Sequence, residues 1–259
     1  MATWPPGYGR EIHDRLDSTN AEALRRAVGG ERGPLWILAR EQTDGRGRRG
    51  RAWASPQGAF SASVLLRPPS APEAALRSFT AALALLDAAA VFVPAARLSL
   101  KWPNDVLLDG RKLAGILLES QATSDAAVAL VIGVGVNLDL PPDAAALEEG
   151  ALAPISLAAA APEAPPGPEA FLDALAPAFH AWEKRLVAEG FAPVREAWLA
   201  RAARLGEPVT ARLPGREVTG LFETIDPTGA LVLATPEGHV TLPAADVHFP
   251  DEPRHAARD

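Results

Sequence analysis

The sequence predicts an α+β protein, a mixed, largely antiparallel sheet with packed helices followed by a small SH3-like β-barrel. Two observations carry this. Asp109-Gly110 separates the apolar runs Val106–Leu108 and Lys112–Glu119, and this dipeptide favours the tight turn of an antiparallel hairpin. Beyond Gly206 the texture changes to short apolar runs divided by Pro214-Gly215, Pro227-Thr228-Gly229 and Pro236-Glu237-Gly238, the even spacing of a small barrel. The change places a domain boundary near Arg204, with residues 1–204 in one domain and 205–259 in the barrel and tail.

Taken in order, Glu11–Asp17 alternates weakly and reads as a short strand. Thr19 followed by Glu22 fits a capping box, so a helix is expected over Asn20–Val28. Leu35–Glu41 is a compact apolar run, a buried strand, and Ala59–Leu66 alternates as a second strand. An alanine- and leucine-rich helix covers Glu73–Val91. Strands follow at Leu98–Trp102, Val106–Leu108, Lys112–Glu119 and Val128–Leu138. Residues 141–168 are rich in alanine and proline and read as loop, with one short helix after Ser156. Phe171, Leu175, Phe179, Trp182 and Leu186 keep helical spacing within Glu169–Glu189, and a further helix is expected over Ala192–Arg204. The barrel strands are Val209–Leu213, Val218–Ile225, Ala230–Ala234 and His239–Leu242.

Composition narrows the function. Apolar residues make up 48% of 259, enough for a substantial core. The formal charge of −7 argues against general affinity for nucleic acid, whose binders carry basic surfaces. There is no cysteine, which removes disulfides, thiol nucleophiles and cysteine-ligated metals. The first ten residues lack a signal-peptide pattern, and the longest apolar run, Phe79–Val93, is too short to span a bilayer. A cytoplasmic protein is expected, with no membrane and no DNA partner.

Against that acidic background, residues 42–53 stand out: Gln42-Thr43-Asp44-Gly45-Arg46-Gly47-Arg48-Arg49-Gly50-Arg51-Ala52-Trp53. Glycine lets backbone approach a ligand closely, and arginine offers a planar fork of donors matched to phosphate oxygens. Alone, the run reads equally well as a solvated basic loop. It is followed by Lys101-Trp102-Pro103-Asn104-Asp105, by Arg111-Lys112-Leu113-Ala114-Gly115-Ile116, and by Val131-Ile132-Gly133-Val134-Gly135-Val136-Asn137. In this order and spacing the set resembles the biotin protein ligases. The resemblance runs from about Asp17 to Asp139 and more loosely to the end. One departure is Asp44, a carboxylate inside the cationic loop.

The resemblance implies a biotin/lipoate ligase-like catalytic domain that forms biotinyl-5′-adenylate from biotin and ATP, then passes biotin to a lysine of a biotin carboxyl carrier protein. It implies Lys112 and Arg48 as catalytic residues. Biotin would be held by Ser18, Thr19, Asn20, Gln42, Gly45, Arg46, Arg48, Lys112, Gly115 and Gly133. The nucleotide would meet Arg46, Arg48, Arg51, Trp53, Asn104, Lys112 and Asn137, with Asp105 as a ligand for Mg2+. Some members carry an N-terminal DNA-binding domain; the short stretch here leads us to expect a ligase without repressor function, either monomer or homodimer.

Each residue also has a plainer reading. Thr19 alone is a helix cap, Lys112 a surface lysine, and Gly133 and Gly135 packing glycines. Trp102 reads as a core or interface anchor. Gly133-x-Gly135 lacks the third glycine of a dinucleotide fingerprint, no P-loop occurs, and the five histidines show no metal-ligand pairing. A lipoate ligase or octanoyl transferase is the enzymatic alternative, and an RNA-binding arm at Arg46–Arg51 the non-enzymatic one, which the acidic balance disfavours.

Overall fold

Leu35-Trp36-Ile37-Leu38-Ala39 is apolar at every position because both faces of its strand are covered. A computed structural model of the chain describes residues 3–53, 55, 58–68, 70–122, 128–141, 152–161 and 165–249. The first sheet contains β1 (Gly9–His13), β2 (Leu35–Ala39), β3 (Phe60–Leu66), β4 (Leu98–Lys101), β5 (Asp105–Leu108), β6 (Arg111–Ala122) and β7 (Val128–Val136). Its order is β1-β2-β3-β7-β6-β5-β4, and only β1–β2 is parallel. The Asp109-Gly110 turn joins β5 to β6 as the sequence predicts, both residues taking positive φ.

Because strand side chains alternate, each strand writes two different sequences onto two faces. Trp36, Leu38, Phe60, Ala62, Val64, Ile132 and Val134 point to one side, where they pack with α2 (Ala71–Ala89) and α4 (Pro168–Glu189). Trp36 meets Phe179 edge-on at 5.6 Å, and Phe60 meets Phe171 at 5.0 Å. Leu35, Ile37, Leu65, Ala129 and Val131 point to the other side, against Ala23 and Ala27 of α1 (Thr19–Val28). That helix covers only part of its face. Next to it the outward positions are Ser61, Ser63, Gly133, Gly135 and Gly115, so the sheet surface is recessed there.

The second sheet is antiparallel throughout: β8 (Pro208–Leu213), β9 (Arg216–Ile225), β10 (Leu231–Thr235), β11 (Gly238–Leu242) and β12 (Asp246–His248), in the order β11-β10-β9-β8-β12. Trp198, on α5 (Phe191–Leu199), is buried between Phe79 and Phe222 and joins it to α2. Trp102 is the interface anchor its size predicts: its indole N–H donates to the Gly229 carbonyl at 3.1 Å. Gly229 has φ +88°, and a Cβ there would lie 2.7 Å from the Phe79 ring, so the turn can approach α2 only as glycine.

Three expectations change. Thr19 does not cap α1; it lies inside the helix and Ser18 holds the cap position. Its backbone N–H is met by Gln42 from a distant segment, and Glu22 pairs with Arg25 and Arg26 instead. The capping arrangement occurs at Ser70 and Glu73, where Ser70 Oγ accepts from the Glu73 N–H at 3.4 Å. The helix expected to reach Arg204 ends at Leu199, because Arg201 and Ala203 hydrogen-bond to Leu100 of β4. Strand β12 was not expected; three residues carry no readable periodicity. The short helix after Ser156 is present as α3 (Leu157–Ala160), while residues 142–151 and 162–164 of that stretch lie outside the described ones. Among the described residues no helix is long and apolar enough to cross a membrane.

Outside the recess, Arg77 and Glu183 form a largely buried ion pair. Arg77 Nε donates to Glu183 Oε1 at 2.8 Å, with the arginine side chain 3% exposed and the glutamate 14%. Burial, with Glu183 adding to it, pushes the neighbouring Tyr8 hydroxyl up to about 12. Arg77→Met should lower the unfolding free energy by about 3–5 kcal/mol, since it strands a buried carboxylate. Urea denaturation checks this, and Arg77→Met/Glu183→Leu should recover most of the loss.

Candidate active site

The recess has a floor of backbone. Gly115 pairs with Gly135 and Leu117 with Gly133 across β6–β7, while Ser61 and Ser63 pair with Gly135 and Gly133 across β3–β7. Two side chains lie directly on this floor. A Cβ on Gly133 would be 2.3 Å from Asn20 Oδ1, and a Cβ on Gly135 would be 2.3 Å from the Trp53 indole. Alanine at either position would displace the side chain above it. The glycines are therefore seats for Asn20 and Trp53.

Around Asn20 runs a chain of polar groups. Thr19, Asn20 and Ser63 are all buried. Ser63 Oγ lies 2.6 Å from Asn20 Oδ1 and 2.7 Å from Thr19 Oγ1, which is 3.1 Å from Gln42 Oε1. Gln42 also accepts the Thr19 backbone N–H at 2.7 Å and donates to Ser55 Oγ at 2.9 Å. At the other end Asn20 Nδ2 donates to Glu119 Oε2 at 2.7 Å. Asp17, just before this segment, accepts from Arg25, which holds its carboxyl well below the usual carboxylate range. This clamp sets where α1 begins. The result is a small pocket wall of donors and acceptors, suited to a polar but uncharged head group.

On the far side of Trp53 the chemistry becomes cationic. Strict alternation would put Lys112 with Ala114 and Ile116, on the core face. A bulge in β6 breaks it: Val106 pairs with Ala114 but Leu107 with Lys112. The extra residue re-aims the lysine to the recessed face. There Nζ lies 2.8 Å from Asp105 Oδ1 and 5.7 Å from the Trp53 ring centre. That carboxylate oxygen is buried without a well-aligned hydrogen bond, so the attraction is coulombic. Asn137 is buried behind, its amide donating to the Ile155 carbonyl at 3.2 Å and the Lys112 carbonyl at 3.4 Å. It holds the strand carrying Lys112, and its donors are engaged there.

The glycine–arginine loop closes as a small hairpin, with Trp53 N–H bonded to the Gly45 carbonyl at 2.8 Å. A Cβ on Gly45 would strike the Trp53 carbonyl at 2.5 Å. Arg48 is largely buried and its Nη1 donates to Asn104 Oδ1 at 3.3 Å. Burial pushes its pKa down, with Asp246 and Asp105 pulling it back up, and a guanidinium so placed stays charged. Arg48, Arg49 and Arg51 all reach Asp246 of β12, at 3.5, 2.5 and 3.2 Å. Arg46 is exposed. One carboxylate of the second sheet thus gathers three arginines of the loop.

Of the residues read from sequence, Ser18, Thr19, Asn20, Gln42, Gly45, Arg48, Trp53, Asn104, Asp105, Lys112, Gly115 and Gly133 gather around this recess or support it. Arg46 and Arg51 lie at its outer edge, and Asn137 acts behind Lys112. Sequence reading missed Ser63, Glu119 and Asp246. The first two were findable: Ser63 alternates with Ser61, and Glu119 follows Gly115 in steps of two. Asp246 had no local signal.

Known proteins are similar to this chain in sequence and in fold. Residues 13–137 match the biotin/lipoate A/B protein ligase family, and residues 205–249 match the biotin protein ligase C-terminal domain. A biotin–[acetyl-CoA-carboxylase] ligase of Paracoccus denitrificans is 54% identical over 237 residues, 91% of this chain and 98% of that protein. The enzyme of the same name from Mycobacterium tuberculosis is 36% identical, over 92% and 87% of the two chains. The biotin protein ligase of Aquifex aeolicus, solved with biotin and ATP, superposes with a TM-score of 0.76 at 23% identity, over 92% and 97% of the chains, a likeness of fold. The two matched domains and the closeness to these relatives show that the chain belongs to the biotin protein ligase family.

Proposed function

We propose that this protein activates biotin with ATP to biotinyl-5′-adenylate and transfers the biotinyl group to a lysine of a biotin carboxyl carrier protein. One observation carries the reading: an uncharged polar wall at Thr19, Asn20 and Gln42 stands beside the cations Lys112 and Arg48, with Trp53 between. Biotin has matching parts, a neutral ureido head group, an apolar chain and a terminal carboxylate.

In the first step a carboxylate oxygen attacks the α-phosphorus of ATP, a P–O bond forms, and the bond to pyrophosphate breaks. Two anions must meet, so neutralisation and positioning dominate the barrier. Lys112 offers a compact charge to both, and Arg48 and its neighbours suit the departing pyrophosphate. In the second step the carrier's amine attacks the acyl carbonyl, AMP leaves with its oxygen, and the amine's proton goes to solvent.

Magnesium arriving on the phosphates would supply further charge neutralisation. Asp105, whose Oδ1 lies against Lys112 Nζ, and Asn104 would be the side-chain oxygens to hold it. Among the described residues no cluster of three metal-ligating side chains exists, which fits a cation carried mainly by phosphate and water. We place the catalytic domain at residues 1–204 and the terminal barrel and tail at 205–259, the barrel lending Asp246 to the loop.

Incubation with biotin, ATP and magnesium should release pyrophosphate and yield a biotinyl-adenylate mass, followed by labelling of an added carrier domain. Pyrophosphate release with lipoate but not biotin would overturn the biotin reading. Lys112→Ala should slow adenylate formation by about 10²–10³-fold with the fold intact by circular dichroism, on the scale of a lost transition-state donor. A rate within threefold of the parent would leave Lys112 a surface residue.

Arg48→Ala should make adenylate but release it into solution. A glycine-rich loop closes only if contacts to ligand offset ordering, about 1–2 kcal/mol per fixed residue, and one charged contact contributes about 1.5–3 kcal/mol. Proteolysis between Arg46 and Arg51 should be slowed by biotin plus ATP in the parent and hardly at all in Arg48→Ala. Equal protection in both would remove Arg48 from loop closure.

A further inference from the structure

Ser63 has one hydroxyl proton and two close oxygens, Asn20 Oδ1 at 2.6 Å and Thr19 Oγ1 at 2.7 Å. Which of them receives it depends on how the Asn20 amide is turned. A carboxylate accepts and cannot donate, so the 2.7 Å contact between Asn20 and Glu119 obliges Asn20 to point its NH2 at Glu119 and its oxygen at Ser63. The Ser63 proton then goes to Asn20 Oδ1, and the Thr19 proton goes to the nearer Ser63 Oγ at 2.7 Å in preference to Gln42 Oε1 at 3.1 Å, because two hydroxyl oxygens that close repel without a proton between them. No proton remains for the 3.1 Å gap between Thr19 Oγ1 and Gln42 Oε1. Gln42 cannot turn its amide to fill it, because its oxygen accepts the Thr19 backbone N–H and its NH2 donates to Ser55.

From this we infer that Glu119 is a positioning residue for biotin: it sets the direction of the hydrogen-bond chain so that Thr19 Oγ1 and Gln42 Oε1 stand as two adjacent acceptors. Two acceptors with no proton between them require a donor from outside. The ureido ring of biotin carries two N–H donors, the complement to that pair. With the Asn20 amide reversed, Ser63 would donate to Thr19 and Thr19 to Gln42, and the acceptor pair would be satisfied internally. Glu119 acts through its contact with Asn20. It is half-buried on β6, two strand steps beyond Gly115, so a charged replacement there still reaches solvent. The inference rests on the biotin reading of the recess.

Glu119→Lys tests it, because an ammonium only donates and forces the Asn20 oxygen away from Ser63. The Kd for biotin, by titration calorimetry, should rise about tenfold, the scale of one hydrogen bond lost in a buried site. KM for ATP and kcat at saturating biotin should stay within about twofold. Glu119→Asp keeps a group that only accepts, and should hold the biotin Kd within about threefold of the parent. An unchanged Kd in Glu119→Lys would overturn the inference. So would a Glu119→Asp protein that keeps the parent's melting temperature while its biotin Kd is as high as that of Glu119→Lys, which leaves Glu119 no part in setting the direction of the chain. A parent protein that releases no pyrophosphate with biotin would sink the biotin reading itself, a result separate from either.

Discussion

Close approach to bare backbone is the constraint on which the site depends. Gly115, Gly133 and Gly135 lie on one face of β6 and β7, and any side chain at the latter two would occupy the space now filled by Asn20 and Trp53. On the opposite face the same strands carry aliphatic residues buried against α2 and α4. One sheet therefore does two things at once. Its packed face holds the molecule together, and its bare face lets Asn20 and Trp53 lie directly against the backbone. Period-two alternation is what allows both in a single strand such as Val128–Val136.

Upon that floor the polar and cationic halves are kept apart by Trp53. This separation matters because charge and neutral hydrogen bonding need different surroundings. Buried donors and acceptors must be paired or the pocket costs stability, and the chain from Glu119 to Ser55 pairs nearly all of them. The cations have carboxylate partners, Asp105 for Lys112 and Asp246 for the loop arginines. Those carboxylates neutralise the site in the absence of substrate. On the function proposed above, phosphate groups entering the site would compete for the same cations, so binding would exchange one set of anionic partners for another and leave no charge stranded.

Asp246 also explains why the second sheet belongs to the site. Trp102 and the Phe79–Trp198–Phe222 contacts seat that sheet against α2 and β4. Once seated, its last strand presents Asp246 to Arg48, Arg49 and Arg51. The Lys101–Asp105 segment thus bears on two functions, since Trp102 anchors the sheet while Asn104 and Asp105 meet Arg48 and Lys112.

The strands other than β12, the Asp109-Gly110 hairpin, the long helices and most of the residues around the recess were legible in the amino-acid order, because these rest on local propensity, alternation and motif order. Tertiary structure alone decided four matters. The β6 bulge turned Lys112 to the recessed face against the parity of its strand. Thr19, locally a good cap, was drawn instead to Gln42 and Ser63. Asp246, on a strand too short to read, became the partner of a loop nearly 200 positions earlier. Glu119 became the terminus of a hydrogen-bond chain beginning on α1. Each outcome is set by contacts between residues distant in sequence, whose energies can outweigh the fraction of a kcal/mol by which local propensity favours one conformation.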